Sequence, residues 1–203
     1  QMIVGESFET TMPGRRALSD TSNNNNNNNN NKIDTDDQVI ELVSVKQTTT
    51  RLRHCDYQAF ATEKERGNKD FMFSIVPALN KQSGGVSLQS QNFPTMHLTS
   101  GIPSGGIETG RIGLADATKD PDSASFKMVN ITQDTIALTS LSSSFQGYYV
   151  GLNGQLTGGC AKNYDKACSD VVLLKPDNDN DGTDSPPIEA QWTVATAPKP
   201  PGP

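Results

Sequence analysis

Residues 86–90 read Val86-Ser87-Leu88-Gln89-Ser90, and the pattern occurs twice more, as Ile40-Glu41-Leu42-Val43-Ser44 and Ile136-Ala137-Leu138-Thr139-Ser140. Each segment places apolar residues at alternate positions, the period of a strand with one face buried. Each is followed some thirty to fifty residues later by a segment that opens on an aromatic side chain: Phe73-Ser74-Ile75-Val76, Phe126-Lys127-Met128-Val129 and Trp192-Thr193-Val194-Ala195. The unit therefore recurs about every 50 residues, and a period of that length marks a supersecondary unit that cannot bury its apolar face alone.

Between the opening and closing segments each unit has room for two further strands. One falls around Leu52, Leu98 or Val150, the other around Phe60, Leu114 or Leu156, with Val171-Val172-Leu173-Leu174 as the alternative in the third unit, which carries an insertion. Three four-stranded units with little helical periodicity predict an all-β chain, a β-trefoil over 38–197 with repeats at about 38–80, 81–131 and 132–197.

The flanks read differently. Residues 1–37 contain nine consecutive asparagines, Asn23 to Asn31, and a polar homopolymer has no apolar area to set against its ordering entropy. It reads as a disordered arm or spacer. The tail Pro198-Lys199-Pro200-Pro201-Gly202-Pro203 reads as extended polyproline-like chain.

The formal net charge of -6 argues against a nucleic-acid partner, since no Lys/Arg stripe is available to displace counterions from phosphates. No run of about 18 apolar residues exists, so no membrane span is expected. Gln1 reads as a processed end, and Asn130-Ile131-Thr132 is a glycosylation sequon; together they point to an extracellular, secreted chain. Of the three cysteines, Cys160 and Cys168 are close enough in sequence to close a small loop, which leaves Cys55 free or bonded elsewhere.

Two stretches carry a resemblance. Ser87-Leu88-Gln89-Ser90-Gln91-Asn92-Phe93-Pro94 in repeat two, and Leu52-Arg53-His54 with Asp70-Phe71-Met72-Phe73 in repeat one, resemble the arabinose-binding domain of α-L-arabinofuranosidase B, carbohydrate-binding module family 42. The resemblance implies a β-trefoil in which each repeat can hold a furanose sugar, with a histidine and an aspartate bonding its hydroxyls. A carboxylate can accept from vicinal hydroxyls and an imidazole can donate or accept, so the pairing suits a polyol. In repeat one those positions are His54 and Asp70, with Asp56 and Tyr57 beside them as further sugar contacts. At the histidine position repeat two has Ser100 and repeat three Leu152; at the aspartate position repeat two has Ser123, with Asp122 one step off, and repeat three has Glu189. One dominant site, in repeat one, is expected. Its two groups are expected at the surface, where substitution leaves stability nearly unchanged. Arg51 and Arg53 alternate with Leu52 and are expected to face solvent.

Asp177-Asn178-Asp179-Asn180-Asp181-Gly182-Thr183-Asp184 has the alternating oxygen ligands and glycine turn of a calcium loop, with Asp177, Asp179, Asp181 and Asp184 as ligands. The twelfth position of that pattern is Ile188, and Pro186 and Pro187 forbid the helix that would follow, so a solvated acidic loop is the default and no other cofactor is implied. Acidic residues are scattered without a spacing that implies a facing carboxylate pair, so no enzyme is expected. The sequence thus points to a polysaccharide or glycan partner. The competing class is a structural protein of an extracellular assembly, such as a matrix, sheath or filament, that has lost sugar binding. A protease-inhibitor-like trefoil also fits the insertion at 153–189, although nothing there identifies a target.

Overall fold

The computed structural model describes residues 38–65, 67–101, 110–154, 157–158, 167–178 and 184–197. The asparagine arm, the proline tail, Leu156, Cys160, Asp179 and Asp181 lie outside the described residues. The strands are β1 (Val39–Ser44), β2 (Thr50–Cys55), β3 (Gln58–Glu63), β4 (Phe73–Pro77), β5 (Gly85–Ser90), β6 (His97–Ser100), β7 (Ile112–Ala115), β8 (Phe126–Asn130), β9 (Thr135–Ser140), β10 (Tyr149–Leu152), β11 (Thr157–Gly158), β12 (Ala167–Leu174), β13 (Asp177–Asn178), β14 (Asp184–Ser185) and β15 (Trp192–Thr196). Two short 3-10 turns, Lys69–Phe71 and Ile188–Ala190, precede β4 and β15. No helix among the described residues is long and apolar enough to cross a membrane.

The opening and closing strands of the three repeats join into a ring. β1 pairs with β4, β4 with β5, β5 with β8, β8 with β9, β9 with β15, and β15 returns to β1, every pair antiparallel. The remaining strands form three hairpins, β2–β3, β6–β7 and β10–β12, with Leu52 opposite Ala61, Leu98 opposite Leu114 and Val150 opposite Leu173. The hairpins meet one another at Gln58 and Gly113, at Ala61 and Ser169, and at Arg111 and Val172. A six-stranded barrel capped by three hairpins is a β-trefoil, as the 50-residue period predicts. In repeat three, Val171–Leu174 takes the place of the third strand, because Val171 and Leu173 are the residues that reach the common core.

That core is one cluster to which all three repeats contribute equivalent residues. Leu42, Leu88 and Leu138 come from the opening strands, Leu52, Leu98 and Val150 from the hairpins, and Phe73, Phe126 and Trp192 from the closing strands. The three aromatic rings are fully buried. Such rings dominate core energetics, and the polar end of the indole needs a partner when buried; Trp192 Nε1 donates to Val150 O at 2.9 Å.

The opening strands are more buried than their alternation implies. Glu41, Ser87 and Ala137, which alternation sends outward, are all covered. Neighbouring chain lies over them and satisfies the polar ones: Ser87 Oγ donates to Ala124 O at 2.6 Å, while Glu41 takes Lys64 Nζ at 2.6 Å and Arg51 Nε at 3.0 Å.

Packing is tight where β10 passes the 3-10 turn of repeat three. A Cβ on Gly151 would lie 2.6 Å from Leu174 Cδ1 and 3.0 Å from both Ala190 Cα and Glu189 O. Leu174 can rotate away, but the other two contacts are backbone. Gly151→Ala is therefore expected to cost about 1–3 kcal/mol by overpacking, read as a lower urea midpoint with unchanged slope. An unchanged midpoint would show that the turn moves freely.

Candidate functional site

The stretch RLRHC-DY-QAF is a hairpin. Asp56 and Tyr57 are its two-residue connection, with φ of 49° and 64°, the left-handed pair that a type I′ turn requires to match strand twist. The tip docks through Tyr57 O, which accepts from Leu114 N at 2.9 Å. Both tip residues are exposed, and their side chains make no hydrogen bond or ion pair among the described residues.

His54 lies below this tip, at the end of β2, and is buried at 3% exposure. Its ring packs 6.1 Å from that of Phe73 and 5.6 Å from that of Phe93, centroid to centroid. Asp70 sits in the 3-10 turn, placed there by Asn68, whose Oδ1 accepts from Asp70 N at 2.9 Å. The two residues are brought together by a third, Asn92, which follows β5 in repeat two. Asn92 Nδ2 donates to Asp70 Oδ1 at 2.5 Å, while its Oδ1 lies 2.8 Å from His54 Nε2 and accepts from Ser90 Oγ at 2.7 Å. With Oδ1 as the acceptor, His54 carries its proton on Nε2. The candidate site is thus a junction between repeats one and two.

Arg53 is the principal departure from expectation. It is buried rather than solvent-facing, because the 3-10 turn folds over the outer face of β2. Its guanidinium lies 5.5 Å from the centre of the Phe71 ring, and Nη2 donates to Asp70 Oδ2 at 3.1 Å. Both oxygens of Asp70 are consequently engaged. The expectation that His54 and Asp70 are removable surface groups gives way to a packed network. Burial lowers the pKa of His54 and Arg53 lowers it further, against the opposing pull of Asp70 and Asn92.

Threefold comparison locates the equivalent positions. In repeat two, Ser100 Oγ donates to Ser123 O at 2.9 Å and accepts from Ser140 Oγ at 3.2 Å. The small side chains leave an open cleft of about 280 Å³ rimmed by Asp116, Lys119 and Asp120; Asp122 is exposed beside it. In repeat three, Leu152 is buried and Glu189 is ion-paired with Lys46. That lysine, two residues beyond Ser44, occupies the place of Asn92, two beyond Ser90. Its hydrogen bond holds the Glu189 carboxyl below the usual range. Asn92 is the functional candidate that reading the histidine and aspartate alone overlooks, and its signal was the matching offset in the repeats.

Of the acidic loop, Asp177 pairs with Ser185 and Asn178 with Asp184 in a short ladder; the ligand set proposed for calcium lies partly outside the described residues. Asn130 is exposed at the end of β8. Cys168 is disulfide-bonded and Cys55 is a free thiol.

No family model matches the sequence, and no curated protein matches it. Solved structures do match in fold. A mosquitocidal holotoxin superposes with a TM-score of 0.59 at 10% identity, over 80% of this chain and 18% of the toxin. An arabinofuranosidase complexed with arabinofuranosyl-α-1,2-xylobiose matches with a TM-score of 0.53 at 14% identity, over 79% of this chain and 31% of that enzyme. The BEL β-trefoil matches with a TM-score of 0.52 at 10% identity, over 79% of this chain and 93% of its own. The chain is a β-trefoil. It spans a minor part of the holotoxin and of the arabinofuranosidase, and at these identities the likeness shows the fold alone.

The burial of His54 yields a pH prediction. The unfolded chain takes up the proton near the ordinary value of about 6.5, whereas the folded site resists it, so stability is retained above that pH and falls as pH drops below it. His97, also buried and lowered by desolvation, contributes in the same sense. Urea melts at stepped pH should show this decline, and His54→Gln should make it shallower. An equally steep decline in the variant would assign the whole effect elsewhere. Asp70→Ala, which strips Arg53 of a carboxylate partner, should lower stability by about 1–3 kcal/mol.

Proposed function

We propose that this chain is a secreted, non-enzymatic carbohydrate-binding β-trefoil that engages cell-wall polysaccharide or surface glycans at the junction of repeats one and two. The observation that carries the reading is Phe93, a large aromatic side chain 45% exposed, standing beside the His54–Asn92–Asp70 network. An apolar ring face next to a few convergent polar groups is the combination that a sugar ring and its hydroxyls require. Asp70 and Asn92 are partly exposed and supply the acceptor and the amide; buried His54 fixes the amide's orientation. The resemblance to an arabinofuranose-binding module makes arabinose-bearing polysaccharide the first ligand class to test.

Secretion is supported by the disulfide at Cys168, since such bonds persist in oxidising compartments, and by the exposed sequon at Asn130, read as a glycan acceptor. The non-enzymatic reading rests on the lack of any sequence spacing that implies a carboxylate pair facing across a sugar.

A second reading, a protein of an extracellular assembly, is favoured by a different observation: the Asp70 oxygens are already satisfied within the chain. The two readings separate on one substitution. Phe93→Ala removes an exposed ring and should change stability by no more than about 0.5 kcal/mol, yet abolish retention on immobilised arabinose-bearing polysaccharide. Retention unaffected by Phe93→Ala would overturn the site. No retention of either protein, with oligomers on a sizing column that persist in the variant, would favour assembly.

A further inference from the structure

A second cleft, where β8 of repeat two meets repeat three, differs in charge from the cleft beside Ser100. Its floor is a row across three strands: Lys127 on β8 pairs with Thr139 on β9, and Thr139 with Tyr149 on β10. Tyr149 packs with Ala137 and Ala190 in a satellite apolar cluster joined by Val129 and Leu174, so that end of the floor is backed by apolar packing. Tyr148 and Gln146 form one wall, the Tyr148 ring held edge-on by Phe145 at 6.1 Å. Lys175, just past β12, closes the other side, and the cleft measures about 420 Å³.

The charge balance is what singles it out. The chain carries 23 acidic residues against 17 basic ones, yet two lysines and no carboxylate line this cleft. Both lysines are exposed, and neither has an ion-pair partner among the described residues, a state they share with Lys69, Lys81 and Lys119 but not with Lys46 or Lys64. Cations set on both sides of an apolar, tyrosine-bearing floor, in a volume within the usual range for small-ligand sites, suit a compact ring that carries an anionic group.

We propose that this cleft binds an anionic saccharide, with Lys127 and Lys175 flanking its carboxylate or sulfate and the partly exposed Tyr148 against its ring. The site is separate in residues from the Phe93 junction and goes beyond the function proposed for it. It would let one trefoil grip a polysaccharide that alternates neutral and acidic units, the gain coming from linkage of two weak contacts.

The test is titration of the full chain, followed by backbone amide NMR, with three probes of equal length: an oligogalacturonate, a neutral galacto-oligosaccharide and a sulfated galacto-oligosaccharide. The expected result is binding of at least one charged probe, with shifts at Tyr148, Tyr149 and Thr139, weakened by added salt, and at least tenfold tighter than the neutral probe. Which charged probe binds distinguishes carboxylate from sulfate. The Lys127→Gln, Lys175→Gln double variant should lose this binding at least tenfold while keeping retention on arabinose-bearing polysaccharide. Phe93→Ala should show the reverse pattern, so failure of one site is distinguishable from failure of the other. Equal loss in a Lys69→Gln, Lys81→Gln control would overturn the proposal by showing diffuse charge attraction, as would charged probes that bind no better than the neutral one.

Discussion

The antiparallel pairing of β1 with β15 is the contact on which the rest of the molecule depends. It matches Ile40 to Thr196 through Ser44 to Trp192 and joins the first strand of repeat one to the last of repeat three. Without it the six barrel strands would be an open sheet with two long unpaired edges. With it the ring closes, and neither β1 nor β15 is left as a free edge for association with another chain. Closure also fixes where side chains can go. Phe73, Phe126 and Trp192 converge only because the ring brings equivalent positions of distant repeats to one axis. The β1–β15 pairing joins positions more than 140 residues apart, so it carries a large loop-closure entropy.

Closure by symmetry also explains why the candidate site is a junction. Each repeat's 3-10 turn or its equivalent lies against the loop that follows the next opening strand. At the first boundary the contact is Asp70 with Asn92; at the third it is Glu189 with Lys46; at the second, small serines leave a gap. One backbone geometry therefore hosts an amide–carboxylate bond, an ion pair or a cleft, according to two side chains.

How far this was legible in the sequence follows from the range over which each signal acts. The strands announced themselves because alternation is local, and the fold because the unit recurs with equivalent residues at each step. Ambiguity in repeat three arose where an insertion broke the spacing, and burial of Val171 and Leu173 settled it. Arg53 misled because alternation specifies which face of a strand a residue takes, not what later covers that face. Here Lys69–Phe71, well beyond the hairpin in sequence, does so. The role of Asn92 was hidden for a related reason: it lies 38 residues from His54, in the next repeat, and joins the site through the register of the ring.

The same network constrains how the junction can work. Hydrogen bonds join Arg53 to Asp70, Asp70 to Asn92 and Asn92 to His54, and linked polar groups are costly to remove singly, because each deletion strands a partner. A ligand at this junction cannot displace His54 or Arg53 without uncovering buried polar atoms, so it must add to the outer edge, where Asp70 and Asn92 retain exposed surface and Phe93 offers a ring. Inner residues then act by positioning and outer ones by contact. On the proposed reading, Arg53 and His54 serve stability and Phe93 recognition, so a scaffold residue and a binding residue can sit side by side at one junction.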